Sequence, residues 1–155
     1  MLTRYKEDLK LAIRHLQIAD HMTYVTYPLV NEKRLLLKVL EEINLSMISS
    51  INCMFNYGHP EKPINLKKDE ESLEKALKEV SKEYSITNEQ IIKIKEVFVL
   101  NKKHKKSGME FVKKDKIIIL SDSLDFEAIN LQKIKEYILL TKRMIVKITL
   151  KLEKR

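Results

Sequence analysis

Residues 101–116, NKKHKKSGMEFVKKDK, gather the side chains best suited to hold an anion. Seven lysines stand there against Glu110 and Asp115, so the segment carries +5 of the chain's +8. Three readings are open: a loop that grips phosphate, a catalytic loop built on His104, or a solvated turn. Lys102, Lys103, Lys105 and Lys106 close a predicted helix. Cations there offset the helix dipole by ~0.3–1 kcal/mol each, which is a structural reason for part of the cluster. Lys113, Lys114 and Lys116 have no such reason. They could guard an edge strand or join a phosphate-binding patch with the first group.

A second basic feature lies near the end of the chain. Arg143, Lys147, Lys151 and Arg155 fall at i, i+4, i+8 and i+12. On a helix this makes a ridge of like charge with neighbours about 6 Å apart, each pair repelling by ~0.2–0.5 kcal/mol. Carboxylates on a neighbouring helix (Glu70, Glu71 or Glu74) or the phosphates of a polyanion would offset the repulsion.

Other chemistry has little support. His15, His21, His59 and His104 show no HExxH or Cys/His spacing, and one cysteine cannot build a thiolate site, so no metal is expected. Cys53 sits within an apolar helical run and reads as an inert core thiol. Two glycines cannot build a Gly-rich phosphate cradle, and no cofactor is implied.

These residues must be positioned by helices. With 44% hydrophobic and 34% charged residues, 155 residues suffice for one domain, 1–155, with a real core. Few glycines and prolines favour long helices over an all-β fold. Leu2, Tyr5, Leu9, Ala12, Leu16, Ala19, Thr23 and Thr26 step 3-4-3-4-3-4-3, a helical stripe. Pro28 should stop that helix, and Asn31 should cap the next. The second helix, about Glu32–Tyr57, is apolar on most of its circumference and reads as the centre of a bundle. Ser46, Ser49 and Ser50 would let a neighbour come close, and Gly58 ends it.

A third helix follows in KKDEESLEKALKEVSKEY. Its first turn holds Asp69, Glu70 and Glu71, and its narrow stripe of Leu73, Leu77, Val80 and Tyr84 places it on the outside. Thr87 and Gln90 have capping-box spacing, starting a fourth helix at about Asn88 that Ser107-Gly108 end. The period then changes. MEFV, KIIIL and LDFEAI, separated by polar turns, predict a β-hairpin or three short strands. A last helix, about Leu131–Leu152, carries Leu131, Ile134, Ile138, Thr141, Ile145, Ile148 and Leu152 at the same 3-4 spacing. The expected fold is mainly all-α: an antiparallel bundle of four or five helices with a small β-hairpin insertion before the last.

Arg14 and His21, with six residues between them in RHLQIADH, add a resemblance. With the helical layout, this spacing resembles the HEPN superfamily of small α-bundles, many of them RNases or toxin partners, which carry an Arg-x4–6-His motif. The resemblance implies metal-independent RNA cleavage, with the arginine orienting the phosphate and the histidine assisting attack by the ribose hydroxyl. The family places this motif near the start of a late helix, whereas here it lies in the first. The late candidate, residues 101–104 ending in His104, lacks the arginine. The chain also looks like small helical proteins of unassigned activity frequent in archaeal genomes, which implies no activity.

A pI near 9.4, with 25 lysines against five arginines, suits an acidic partner. The expected function is a non-catalytic, basic, cytoplasmic protein that binds RNA or a ribonucleoprotein. Its phosphate contacts would be Lys102, Lys103, Lys105, Lys106, Lys113, Lys114, Lys116, Arg143, Lys147, Lys151 and Arg155. A HEPN-like ribonuclease using Arg14 and His21, or His104, is the alternative. A helical module pairing its stripes with a protein partner is a third reading. No membrane span and a monomeric state are expected.

Overall fold

A computed structural model describes residues 4–107, 109–121 and 123–154. Leu2, Gly108 and Arg155, which the sequence reading used, lie outside the described residues.

The helical stripes build a bundle around one central helix. α1 (Arg4–His21) runs through a π-helical turn (Met22–Thr26) into the short α2 (Tyr27–Val30). α3 (Leu35–Gly58) follows and buries sixteen of its 24 residues, which makes it the axis of the bundle. Ala12 and Ala19 of α1 are fully buried, and the Ser46 hydroxyl of α3 donates to the Ala12 carbonyl at 2.7 Å. Small residues on both helices thus permit the close approach expected of the serines.

Two local expectations fail near Pro28. The helix does not stop there but continues to Val30. A proline ring normally strikes the carbonyl four residues back, and the wider π turn just before it relieves that clash. Asn31 does not cap the following helix. It ends the preceding one with a left-handed φ of 49°, its N–H donating to the Tyr27 carbonyl, a conformation that asparagine tolerates.

A 3-10 turn (Glu70–Ser72) leads into α4 (Leu73–Glu83), which buries Ala76, Leu77 and Val80. α5 (Asn88–Lys106) begins with the expected capping box. The Gln90 N–H donates to Thr87 Oγ1 at 3.1 Å, and the Thr87 N–H to Gln90 Oε1 at 3.0 Å. Strands β1 (Met109–Lys113), β2 (Lys116–Leu120) and β3 (Phe126–Asn130) form an antiparallel meander in the order β1-β2-β3. α6 (Leu131–Glu153) starts on Asn130, whose Oδ1 accepts the Lys133 N–H at 2.8 Å. Its stripe enters the core: Ile134, Ile138, Thr141 and Ile148 are at most 1% exposed.

The fold is therefore mostly helical, with a small antiparallel sheet before the last helix. Among the described residues no helix is long and apolar enough to cross a membrane.

Candidate anion site at the end of helix α5

The end of α5 is held by three elements. His104 is clamped between two carboxylates: Nε2 lies 2.7 Å from Glu41 on α3, and Nδ1 lies 2.5 Å from Glu110 on β1. Its side chain is only 15% exposed. Burial pulls the imidazole toward its neutral form, but the two carboxylates outweigh burial and raise the pKa above the ordinary 6.5. Both nitrogens can donate only when the ring is protonated. Arg34 donates to the Glu110 carbonyl at 3.1 Å and steadies the strand. His104 is thus a clip joining α3, α5 and β1, with neither ring nitrogen open to a substrate. The carboxylates sit on opposite ring nitrogens, so the three groups do not converge on a point. No group able to hold a metal ion occurs among the described residues.

The lysines around this clip divide into two kinds. Lys103 pairs with Glu127 of β3 at 3.0 Å, and Lys102 with Glu70 at 3.4 Å. Lys105, Lys106, Lys113, Lys114 and Lys116 make no ion pair or hydrogen bond among the described residues. The two lysine groups do not merge. Lys113 pairs with Lys116 at the far end of the hairpin, four residues or about 13 Å along the strand from Met109.

Between those groups lies the outer face of the sheet. Strand alternation puts Glu110, Ile119 and Glu127 on the inner face. Met109, Phe111, Leu120 and Phe126 then share the outer one. Phe111 is 40% and Phe126 66% exposed. Phe111 lies within the basic segment 101–116. Phe126 joins it through strand pairing across a turn, which no local pattern reveals.

The α6 ridge has a different fate. Lys147 donates to the Ser85 carbonyl at 2.7 Å and Lys151 to the Glu83 carbonyl at 3.2 Å, both at the carbonyl-rich end of α4. Lys151 also lies 3.7 Å from the Glu83 carboxylate and 4.7 Å from the centre of the Tyr84 ring. Glu70 and Glu74, considered as partners for this ridge, instead pair with Lys102 and Lys95 on α5. Arg143 is exposed and has no ion pair among the described residues.

Arg14 and His21 are both exposed on α1, with no hydrogen bond between them. Seven residues of helix separate them by about 10 Å along the axis. The neighbouring His15, not His21, finds a carboxylate, Glu42 at 2.8 Å. Burial pushes the Cys53 thiol up to about 12, so little of it is thiolate near neutral pH.

Beside the free lysines, a groove of about 590 Å³ opens between α3, the 59–72 connection and α5. α3 builds one wall and also anchors the opposite one. Asn52 Oδ1 accepts the Leu66 N–H at 2.9 Å, and Asn56 takes the Ile64 N–H at 2.7 Å and donates back to the Ile64 carbonyl at 3.1 Å. These amides tie the middle of the connection to α3, beyond the His59 N–H that donates to the Phe55 carbonyl at 3.0 Å at its start. No protein-family model, curated protein or solved structure matches the chain.

Proposed function

We propose that the protein is a non-catalytic RNA-binding protein that holds phosphates at the end of α5 and on the neighbouring hairpin. The observation that carries this reading is the set of lysines left without partners among the described residues: Lys105, Lys106, Lys113, Lys114 and Lys116. Five unpaired cations over two adjacent elements repel one another, and a polyanion relieves that repulsion. Phe111 and Phe126 lie between the two lysine groups on one sheet face, where bases can stack. Stacking needs unpaired bases, so these rings favour single-stranded RNA.

The test is a salt series. RNA affinity should fall with a log–log slope of about −0.7 to −0.9 per phosphate contact. Changing Lys102, Lys103, Lys105 and Lys106 together to Gln should flatten the slope. An unchanged slope would place binding elsewhere, and no binding at low salt would remove the reading. The same RNA should stay intact on incubation. Chelator-resistant cleavage that disappears in His21→Ala would favour the HEPN-like ribonuclease instead.

The interaction-module reading has an observation of its own. Leu11, Ile18 and Val25 repeat every seven residues on an exposed side of the first helical segment, at 43%, 37% and 49% exposure. The stripe the sequence reading assigned to a partner helix is spent inside the bundle, and this second one is left over. Sedimentation of the wild type against Ile18→Lys tests it.

A further inference from the structure

We propose that the groove beside α5 binds one nucleotide, with its base inward against Asn44 and Asn101 and its phosphate outward on Lys67, Lys105 and Lys106. The inference rests on the RNA reading for the source of that nucleotide, but its geometry stands independently.

Two amides line the groove, and one of them has a buried oxygen with no partner. Asn101 is 6% exposed, and its Oδ1 is buried with no hydrogen-bond partner. Asn44 is 7% exposed, and its side chain makes no hydrogen bond among the described residues. An asparagine amide offers two donors and an acceptor, and rotation about its last torsion exchanges them. A buried amide oxygen is seldom left unpaired in a folded protein, so Asn101, with the Asn44 amide lining the same groove, points to an occupant that pairs with it.

The walls and rim narrow the class of that occupant. Leu45, Ile48, Leu66, Leu73 and Phe98 make the sides apolar. The rim holds Lys67, Lys102, Lys105 and Lys106 against one acid, Glu70, which Lys102 already engages. The ligand must therefore be flat or compact and apolar in its body, with donors and acceptors at its inner edge and negative charge at its outer end. A fatty acid leaves both amides unpaired. A sugar phosphate does not use the apolar walls. Inorganic phosphate needs only the rim. A nucleobase has apolar faces and a polar edge that asparagine amides pair with well, and it carries its phosphate at the opposite end. The groove's volume falls within the ~300–1,000 Å³ range of small-ligand sites.

The experiment titrates the full chain with the four ribonucleoside monophosphates, with ribose 5-phosphate, and with a short single-stranded RNA, followed by amide chemical shifts. The expected result is that at least one monophosphate shifts Leu45, Leu66, Phe98 and Asn101, and binds about tenfold or more tightly than ribose 5-phosphate. Asn101→Leu should remove that preference while inorganic phosphate competes equally with wild type and variant. Equal binding of ribose 5-phosphate, or shifts confined to the sheet, would overturn the proposal. If RNA binds with its salt dependence but no monophosphate reaches the groove, the groove proposal falls and the RNA reading stands. If monophosphates bind in the groove and RNA does not, the groove proposal stands with a free nucleotide as ligand and the RNA reading falls. The wild-type titration decides the matter even if Asn101→Leu fails to fold.

Discussion

Lys147 and Lys151 lie against the end of α4, whereas Lys105 and Lys106 project from the end of α5 with no partner among the described residues. Both pairs belong to lysine-rich helical segments, and both lie near a helix C-terminus. The difference is whose terminus it is. The carbonyls closing α4 face α6 and accept its lysines, so the ridge's self-repulsion is offset within the molecule. At the end of α5 the nearby carboxylates Glu41 and Glu110 are taken by His104, and Glu127 by Lys103. A count of charges therefore says little about charge available to a ligand until each cation's partner is known.

The comparison assumes that both regions hang on one core, and the largest effect tests that. Ile138 is 1% exposed on the inner side of α6. Ile138→Asp should abolish cooperative thermal unfolding, because an unpaired buried charge costs about 4 kcal/mol or more. Leu16→Asp on α1, at a partly buried position packed against the core, should destabilise less. The wild type should sediment as a monomer. A folded Ile138→Asp that only splits a dimer would turn the inner face of α6 into an interface and undo the account of the ridge.

The next effect addresses the two lysine pairs directly. Lys105→Gln with Lys106→Gln should flatten the salt slope of RNA binding by about 1.5 in all, at 0.7–0.9 per contact. Lys147→Gln with Lys151→Gln should leave that slope alone and lower thermal stability slightly instead. The opposite pattern would make the ridge the binding surface.

His104 keeps the end of α5 in place, and pH exposes its contribution. Its pKa is raised in the fold, so its bonds to Glu41 and Glu110 contribute fully below the ordinary value of 6.5. That contribution fades as pH rises through the raised value. Wild-type stability should decline from neutral to alkaline pH. His104→Gln should be less stable by about 1–3 kcal/mol at acidic pH and show a flatter profile, measured by denaturant melts across pH.

The smallest effect concerns the hairpin. Lys114 holds a φ of 57°, which costs a side-chain-bearing residue about 1 kcal/mol relative to glycine. Lys114→Gly should raise the melting temperature and, if this lysine touches phosphate, weaken RNA binding. A gain in stability with RNA affinity unchanged would assign the hairpin lysines to the solvated turn and leave α5 as the sole basic contact.

What the sequence determined by itself was periodic or local. The 3-4 stripes specified which faces of α1 and α6 turn inward, because burial of apolar side chains must follow the helical repeat. The Thr87–Gln90 box and the change of period after residue 108 specified where α5 begins and where the strands lie. These signals need only neighbours a few positions apart. Pro28 misled because a π turn just before it accommodates the ring, and Asn31 misled because its residue type serves either end of a helix. The sequence named the lysines of the candidate site, but the tertiary structure decided which of them are paired. His104 met Glu41 across 63 positions, Lys147 met Ser85 across 62, and Asn52 drew Leu66 into the wall of a groove. Hydrogen bonds and ion pairs are short-ranged in space and indifferent to distance along the chain, so only the folded packing could decide which lysines are spent and which are free.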